Sequence, residues 1–316
     1  MNRIRTAVIG VGYLGRFHAE KYASLPEAEL VGIADPDRER TGPLAKTLNT
    51  RAFDDGMELL GKVDAVSIVA PTVLHHRLAL PFLRAGIHVL LEKPIAVTLD
   101  QADELIREAE KAGVVLQIGH IERFNPAITA LKPLVASPRY IQAERCAPFT
   151  PRCTDVNVVL DLMIHDLDIV ADLADSAPKL VSAAGASVIT REIDSASARI
   201  VFANGTIADV EASRISDEKK RILRVFDSER LCTADYQTQT AQVSSRGTGP
   251  VQGFESQTVP TERKDTLLEE IRDFLRCIRT AGQPRVSGRE GRNALALAQL
   301  ITRSIETGNT DFIPVA

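Results

Sequence analysis

The chain has 316 residues, of which 44% are hydrophobic and 25% are charged, and its formal net charge is −4 at pH 7. This length predicts two domains, and the composition is that of a globular protein with a full core. The acidic balance argues against a nucleic-acid or membrane-surface partner, and no apolar run reaches the roughly 18 residues that would predict a membrane span.

Apolar runs alternate with helical patterns over the first 120 residues. Alternation of this kind predicts a parallel sheet covered by helices on both faces. The predicted strands are residues 4–9, 30–34, 65–70, 88–92 and 115–119. The predicted helices are residues 14–24, 38–48, 75–85 and 99–112. Because the strand pattern begins at Ile4, we expect no signal peptide.

The second half of the chain is rich in alternating strand patterns. Predicted helices cover residues 125–135, 161–173, 267–279 and 288–307. Predicted strands cover residues 180–187, 196–202, 206–213, 221–226, 231–236 and 240–244. Turns at Asn204-Gly205 and Asp227-Ser228 predict antiparallel hairpins. The fold class is therefore α/β: an N-terminal Rossmann domain with a parallel sheet (1–122), and a C-terminal α+β domain (123–316) with a large, mainly antiparallel sheet and helices on one face.

Four widely spaced cysteines without a CxxC motif predict free thiols in a cytoplasmic protein and argue against a zinc site. The face of the C-terminal sheet that carries no helices must also be covered, which predicts a homodimer or homotetramer formed through this sheet. The second domain is thus predicted to serve both substrate binding and oligomerisation.

A glycine-rich turn lies between the first strand and the first helix, in the segment Gly10-Val11-Gly12-Tyr13-Leu14-Gly15. The spacing fits a dinucleotide fingerprint, in which the glycines allow a tight turn and close approach to a pyrophosphate. Asp35 follows 20 residues after Gly15, where a carboxylate binds ribose hydroxyls. A tight turn without a ligand is the alternative. Asp35 favours NAD, although Arg38 is placed to accept the extra phosphate of NADP.

Polar residues follow two further predicted strands. Pro71 and Thr72, with His75 one turn later, are predicted to flank the nicotinamide ribose, although Thr72 could simply cap a helix. Glu92 and Lys93 end the strand at 88–92, where open α/β sheets bind ligands. We expect Lys93 to donate to a substrate oxygen and Glu92 to hold the ammonium. The alternative is an ordinary ion pair at a strand end.

The predicted helix at 161–173 carries one narrow polar stripe on an otherwise apolar surface. At about 100° per residue, Asp161, His165, Asp168 and Asp172 fall on the same side. We expect Asp161 to fix the tautomer or charge of His165 inside a polar cavity. A thin exposed edge is the alternative, and a metal site is disfavoured because no second histidine lies at ligand spacing. His18, His76 and His88 are expected at the surface.

The motifs together resemble the Gfo/Idh/MocA family of sugar oxidoreductases. The segments that carry the resemblance are the glycine turn, Asp35, Pro71-Thr72 with His75, Glu92-Lys93-Pro94, Arg123-Phe124, and Asp161 with His165-Asp166. The resemblance implies that Lys93 and His165 flank the carbon that is oxidised, that Asp161 assists, and that the Lys93–Pro94 bond is often cis. Segments 119–126 and 152–166 are similar to the branch that oxidises the 3-hydroxyl of UDP-N-acetylglucosamine for a lipid A amino sugar.

A nucleotide-sugar substrate needs cations for its diphosphate, and arginine suits this role. Arg152 and Arg214 are candidates, as is Arg123 through the family motif, although ordinary surface arginines are an equal alternative for the first two. Other substrates in the same chemical class are inositol, a free hexose or a UDP-uronate. A different class, an NAD-binding regulator without turnover, is disfavoured because Lys93, Asp161 and His165 are all present.

Overall fold

This computed structural model of the chain describes residues 3–151, 154–247 and 253–312. The fold consists of two compact units. The first contains Met1–Ile121 and Asp265–Arg292, and the second contains Glu122–Lys264 and Asn293–Ala316. The predicted single break at 122/123 assigns residues 265–292 to the wrong unit. The reason lies in the packing of one late helix, described below.

Six parallel strands form the sheet of the first unit, in the order β3-β2-β1-β4-β5-β6. They are β1 (Ile4–Ile9), β2 (Ala28–Ala34), β3 (Arg51–Phe53), β4 (Ala65–Ile68), β5 (His88–Leu91) and β6 (Leu116–Ile118). The connecting helices are α1 (Tyr13–Ser24), α2 (Arg38–Leu48), α3 (Thr72–Arg84) and α4 (Leu99–Ala112). This is the strand order of a Rossmann fold, and it confirms the predicted fold class. The short β3 was not predicted, because three residues are too few to show an alternating pattern.

Side-chain caps explain why the bounds of α2 and α4 could be read from the sequence. The Asp37 carboxylate accepts from the Glu39 amide at the start of α2, and the Thr98 hydroxyl accepts from the Gln101 amide at the start of α4. Gly113 ends α4 in the left-handed conformation, with φ of 66°. These groups satisfy amides and carbonyls that have no partner within the helix.

A nine-stranded, mainly antiparallel sheet forms the second unit, in the order β14-β13-β12-β11-β7-β10-β9-β8-β15. Its strands are β7 (Tyr140–Cys146), β8 (Pro178–Ala186), β9 (Ser195–Phe202), β10 (Ile207–Ser213), β11 (Lys220–Phe226), β12 (Arg230–Asp235), β13 (Thr240–Arg246), β14 (Phe254–Val259) and β15 (Asp311–Phe312). Both predicted hairpin turns are present, β9 to β10 and β11 to β12. The sequence patterns missed β7, β14 and β15, and β7 pairs with β10 in parallel.

Helices cover one face of this sheet. They are α5 (Pro126–Leu131), α6 (Ile164–Ala174) and most of α8 (Gly288–Thr307), and a π-helical turn at Val159–Met163 leads into α6. Alternate residues of β9 point into the resulting core: Ala196, Ala198, Ile200 and Phe202 are buried. The period-2 burial is what the sequence alternation predicts.

The helix α7 (Thr266–Thr280) returns to the first unit and corrects the predicted domain division. Its buried side chains Leu267, Ile271 and Phe274 join the core formed by α1 and the parallel sheet. An amphipathic pattern states that a helix has an apolar face, but it does not identify the sheet that covers this face. Among the described residues, no helix is both long and apolar enough to cross a membrane.

Candidate active site

The turn after β1 brings α1 into direct contact with the strand edge. Gly10 has φ of +86°, and a Cβ atom there would lie 2.3 Å from the Val69 carbonyl oxygen. A Cβ atom on Gly15 would lie 1.8 Å from the Gly10 carbonyl oxygen. No larger residue fits at either position, because both contacts are with backbone that cannot move aside.

The first turn of α1 is built to receive an anion. Gly12 precedes the helix in an extended conformation and provides no side-chain cap. A Cβ atom on Gly12 would have only an Arg40 guanidinium nitrogen nearby, at 3.9 Å, so the space in front of the backbone is open. Tyr13 and Leu14, both exposed, form the first helical positions. The amides and dipole of a helix N-terminus favour phosphate, so this cradle fits a dinucleotide.

Asp35 follows β2 and its carboxylate is held beside this turn. One oxygen accepts from the Val11 amide and the other from the Asp37 amide, both at 2.9 Å. The carboxylate is therefore oriented by backbone, as a ribose-binding group must be. Arg38, the residue that argued for NADP, forms a surface ion pair with Asp54.

Two loops meet at the carboxyl ends of β4 and β5, and His75 fastens them together. Its Nδ1 lies 2.8 Å from the Pro94 carbonyl oxygen and its Nε2 lies 2.8 Å from the Ala70 carbonyl oxygen. A neutral imidazole has one N–H, so one of these contacts is a hydrogen bond at a time. Burial lowers the pKa of His75, against the hydrogen bonds to the two carbonyls. With its ring fully buried, His75 positions the loop that contains Pro71 and Thr72.

Lys93 follows β5 at the same edge of the sheet, and its bond to Pro94 is cis, as the resemblance implied. The Glu92 side chain points into the unit, where its Oε1 lies 3.2 Å from His18 Nε2 and its Oε2 accepts from the Lys93 amide at 3.2 Å. Glu92 thus holds the backbone of Lys93. The predicted surface position of His18 is wrong, because its side chain is fully buried.

His76 and His88 are also not simple surface residues. His76 is half-buried, and its Nε2 lies 2.8 Å from a Glu104 carboxylate oxygen. His88 is half-buried, and its Nδ1 accepts from the Val115 amide at 2.9 Å. Both side chains serve the packing of the first unit.

Asp161 and His165 lie in the second unit on a helix that is not regular. Asp161 belongs to the π-helical turn, and His165 lies in the first turn of α6. The π turn has i→i+5 hydrogen bonds, so the predicted spacing of about 100° per residue does not apply to it. Both side chains are half-buried. Turns of this type often mark functional segments.

The other two residues of the predicted polar stripe have an internal role. Asp168 binds Arg123 through two hydrogen bonds of 2.6 and 3.2 Å, and Asp172 pairs with both Arg123 and Lys132. Arg123 is only 5% exposed. Two of the four residues of the stripe, Asp168 and Asp172, thus form ion pairs in the interior. Arg123, predicted as a substrate ligand, is bound by these carboxylates.

A second buried ion-pair cluster surrounds Asp166. Arg145 binds Asp166 at 2.5 and 3.2 Å and Glu122 at 3.0 Å, and its guanidinium lies 5.3 Å from the centre of the Tyr236 ring. Burial raises the pKa of Asp166, and the charge of Arg145 opposes this rise. Sequence reasoning missed Arg145. The signal was a charge at the core-facing position of β7, two residues after Ala143.

Arg214 follows β10, and its guanidinium group is held by contacts within the second unit. Its Nη2 donates to the Val156 carbonyl oxygen at 2.5 Å, and its Nε lies 4.0 Å from an Asp194 oxygen. Asp194 in turn accepts from the amides of Ile189 and Thr190, which help to hold its pKa below the usual range despite burial. Arg152, the other predicted arginine, lies outside the described residues.

Comparison with known proteins agrees with this geometry. Residues 4–120 match an oxidoreductase family with an NAD-binding Rossmann fold, and residues 139–231 match the GFO/IDH/MocA C-terminal domain. A UDP-N-acetylglucosamine 3-dehydrogenase from Acidithiobacillus ferrooxidans is 41% identical over 310 residues, which cover 97% of this chain and 98% of the relative. This chain belongs to the Gfo/Idh/MocA family.

Three further comparisons show how widely the architecture is shared. The solved structure of the Acidithiobacillus enzyme has a TM-score of 0.93, covering 97% of this chain and 99% of that one. A myo-inositol 2-dehydrogenase from Thermotoga maritima is 29% identical over 324 residues, 96% of each chain. A levoglucosan dehydrogenase in complex with NADH is 19% identical, with a TM-score of 0.89 over 99% of this chain and all of the other. This last comparison shows the fold alone.

The position of Arg123 yields a test by mutation. We expect Arg123→Leu to lower the free energy of unfolding by about 3–5 kcal/mol, because Asp168 is left buried without its partner. The double variant Arg123→Leu/Asp168→Leu should lose less than the single one. The control is Arg289→Leu, which breaks an exposed pair with Glu110 and should leave the free energy of unfolding nearly unchanged. Urea unfolding measures all three. A stable Arg123→Leu protein that binds its substrate poorly would restore the predicted ligand role.

Proposed function

We propose that this protein is an NAD-dependent dehydrogenase that oxidises the 3-hydroxyl of UDP-N-acetylglucosamine to the 3-keto sugar. The observation that carries the proposal is the 41% identity, over nearly the full length of both chains, to an enzyme of that name. The glycine turn, Asp35, Lys93, Asp161 and His165, which the proposed reaction needs, are all present in this chain. Membership of the family establishes the fold and the class of reaction, and the proposal adds the substrate.

The first unit would hold the cofactor through groups that the structure already orients. The amides at the start of α1 would bind the pyrophosphate, and Asp35 would accept hydrogen bonds from a ribose. The loop after β4, with Pro71 and Thr72, would flank the nicotinamide half, and His75 keeps that loop in place. When bound, NAD accepts the hydride that leaves the sugar carbon.

Oxidation of an alcohol carbon releases a hydride from carbon and a proton from oxygen. We assign the proton to His165, because an imidazole with an ordinary pKa of about 6.5 accepts a proton near neutral pH. Asp161 would stabilise the charged ring. Lys93 would bind the reacting oxygen and favour its anionic character, and it is the rival candidate for the base.

A panel of substrates tests the proposed function. Purified protein incubated with NAD and UDP-N-acetylglucosamine should produce reduced nicotinamide, followed by its absorbance, and a 3-keto product, followed by mass spectrometry. UDP-glucose, UDP-glucuronate, myo-inositol and glucose are the comparison substrates. Turnover of myo-inositol alone would favour the chemistry named for the Thermotoga relative. Binding of NAD without turnover of any substrate would favour a regulator.

Lys93→Met should lower kcat by about 10²–10⁴-fold, the usual loss when a group that assists proton transfer is removed. Binding of NAD, measured by calorimetry, should survive, because the amides of α1 and Asp35 are unchanged. Lys111→Met, on the exposed end of α4, is the control. If Lys93→Met kept its kcat, Lys93 would be an ordinary strand-end cation.

His165→Asn should remove the acid limb of the pH profile. With His165 as the base, kcat/KM of the unaltered enzyme falls as the pH drops and the ring is protonated, because a protonated ring accepts no proton. The variant should keep a small rate without this ionisation. His76→Asn, on α3, is the control. An acid limb that persists in His165→Asn and disappears in Lys93→Met would assign the proton to lysine.

Asp35→Ser should weaken NAD binding by about tenfold or more, because a hydrogen bond to a charged group contributes about 1.5–3 kcal/mol. It should also improve binding of NADP, since a carboxylate repels the additional phosphate. Adding Asp54→Ser should improve NADP binding further, because Arg38 then loses its partner. Both affinities can be measured by calorimetry. Tighter binding of NADP than NAD by the unaltered protein would refute the proposed selectivity.

We also propose that the second unit binds the sugar and joins copies of the chain through its sheet as a homodimer or homotetramer. On the side of β9 and β10 away from the helices, Asp209 accepts hydrogen bonds from Arg199 and from the Tyr140 hydroxyl. A cytoplasmic location agrees with the described cysteines Cys146, Cys232 and Cys277, which are free thiols. Sedimentation analysis of the purified protein tests the oligomeric state.

A further inference from the structure

Three ionisable side chains of the first unit meet in its interior, directly behind Lys93. They are His18 from α1, Glu92 after β5 and Glu270 from α7, and one nitrogen or oxygen atom from each lies within 4.8 Å of the other two. None of the proposed steps of hydride or proton transfer uses His18 or Glu270. We refer to these three residues as the His18–Glu92–Glu270 cluster.

The Glu92 carboxylate is the fixed centre of the cluster. It contacts His18 Nε2 on one oxygen and accepts from the Lys93 amide on the other, both at 3.2 Å. A Cβ atom on Gly119 would lie 2.8 Å from this carboxylate, so the chain passes as close as a glycine allows. Burial alone would raise the pKa of Glu92, but His18 and Lys93 hold it below its usual range. Glu92 is therefore the negative charge of the cluster.

The surroundings of Glu270 differ from those of Glu92, because they do not stabilise a negative charge. Its side chain is fully buried, and neither carboxylate oxygen has a hydrogen-bond partner among the described residues. An ionised carboxylate in that state would lose its hydration without compensation, at a large cost in free energy. Burial, together with the negative charges of Glu92 and Asp273, raises the pKa of Glu270 well above its usual value.

Two neighbouring buried carboxyl groups do not both ionise, because each charge opposes the other. Ionised, both carboxyl groups are acceptors; a proton on Glu270 gives this pair, whose nearest oxygen atoms lie within 4.8 Å of each other, one donor and one acceptor. We propose that Glu270 is a positioning residue: as a neutral acid it donates to Glu92, and with His18 it fixes Glu92 as a single charge behind Lys93. The inference rests on the proposed function, because it takes Lys93 as a residue that acts in the proposed reaction.

The cluster would act on Lys93 in two ways. Through the Lys93 amide, Glu92 fixes the backbone from which the lysine side chain extends. Through its charge, Glu92 favours the ammonium form of Lys93. Other titratable groups around the cluster include Tyr22 from α1, which bonds to Ser67 at 2.8 Å, Asp273 from α7 and His75 from α3. Tyr22 and Asp273 carry no positive charge, and burial lowers the pKa of His75, which favours its neutral form.

The protonation of Glu270 can be tested directly by infrared spectroscopy of the full chain at neutral pH. The spectrum should show the C=O band of a buried carboxylic acid, and this band should not change when the pH is varied around neutrality. Glu270→Gln should remove the band. Glu269→Gln, on the half-exposed side of the same helix, is the control and should leave the band intact. Absence of the band in the unaltered protein would overturn the proposal.

The effect on Lys93 is tested with Glu270→Met and Glu270→Gln. Methionine fills the space without a donor, so Glu92 protonates more readily and the Lys93 amine loses its fixed counter-charge. Acetic anhydride should then label Lys93 roughly 3- to 10-fold faster at neutral pH. Glutamine keeps a donor and should restore most of the original labelling rate. Equal labelling rates in the two variants would show that Glu270 only fills space, which would refute the positioning role.

Turnover gives the second readout. Glu270→Met should lower kcat roughly 10- to 100-fold with little change in KM for NAD, and Glu270→Gln should recover most of this loss. The spectra and the labelling need neither substrate nor cofactor, so they remain decisive if the substrate panel shows no turnover. Metal analysis completes the test. A divalent ion bound at one per chain, and lost in Glu270→Gln, would replace the shared proton by a metal site and overturn the inference.

Discussion

The close approach of α1 to the turn after β1 is the constraint on which the chemistry of the first unit depends. At Gly15 there is no space for even one methyl group against the Gly10 carbonyl oxygen. This contact sets the N-terminus of α1 at the carboxyl edge of the sheet, where it can receive phosphates. Three residues later, on the same face of the helix, His18 reaches Glu92. A shift of α1 would therefore disturb the cofactor cradle and the support of Lys93 together.

Buried ion pairs have a comparable role in the second unit. Arg123 and Arg145 both bind carboxylates of α6, at Asp168 and Asp166, through two hydrogen bonds each. Pairs of this kind add little net stability, because desolvation offsets the attraction, but breaking them is costly. They thus fix the rotation and depth of the helix more than they stabilise the fold. Because His165 precedes Asp166 directly in the chain, these ion pairs also fix the backbone position of His165.

The sequence predicted those features that depend on local chemistry. The bounds of α2 and α4 follow from the caps Asp37 and Thr98, and the glycine spacing predicted the turn after β1. Features that depend on distant partners could not be predicted in this way. The apolar pattern of α7 does not show which sheet its apolar face packs against. His18 was predicted at the surface because its partner Glu92 is 74 residues away in the sequence.

The stripe on the predicted helix at 161–173 illustrates both limits at once. Its apolar surroundings set these four polar residues apart, and two of them, Asp168 and Asp172, form ion pairs. Winding the segment as a regular helix was wrong, because a π turn at Val159–Met163 changes the angular relation of Asp161 to His165. Periodicity also could not divide the stripe, because it does not show that Asp168 and Asp172 pair with Arg123.

Recognition of the proposed UDP-sugar would require cations for its diphosphate. The relatives named for inositol and for a UDP-sugar share the chemistry of alcohol oxidation, so a diphosphate must be recognised by additional groups. Arg123 is unsuitable, because removing it from Asp168 and Asp172 would leave two carboxylates uncompensated. Arg214 donates to the Val156 carbonyl oxygen at 2.5 Å, and its Nε lies 4.0 Å from Asp194. We keep Arg214 as a proposed ligand of the diphosphate, because an arginine that is already fixed loses little conformational freedom when it binds an anion.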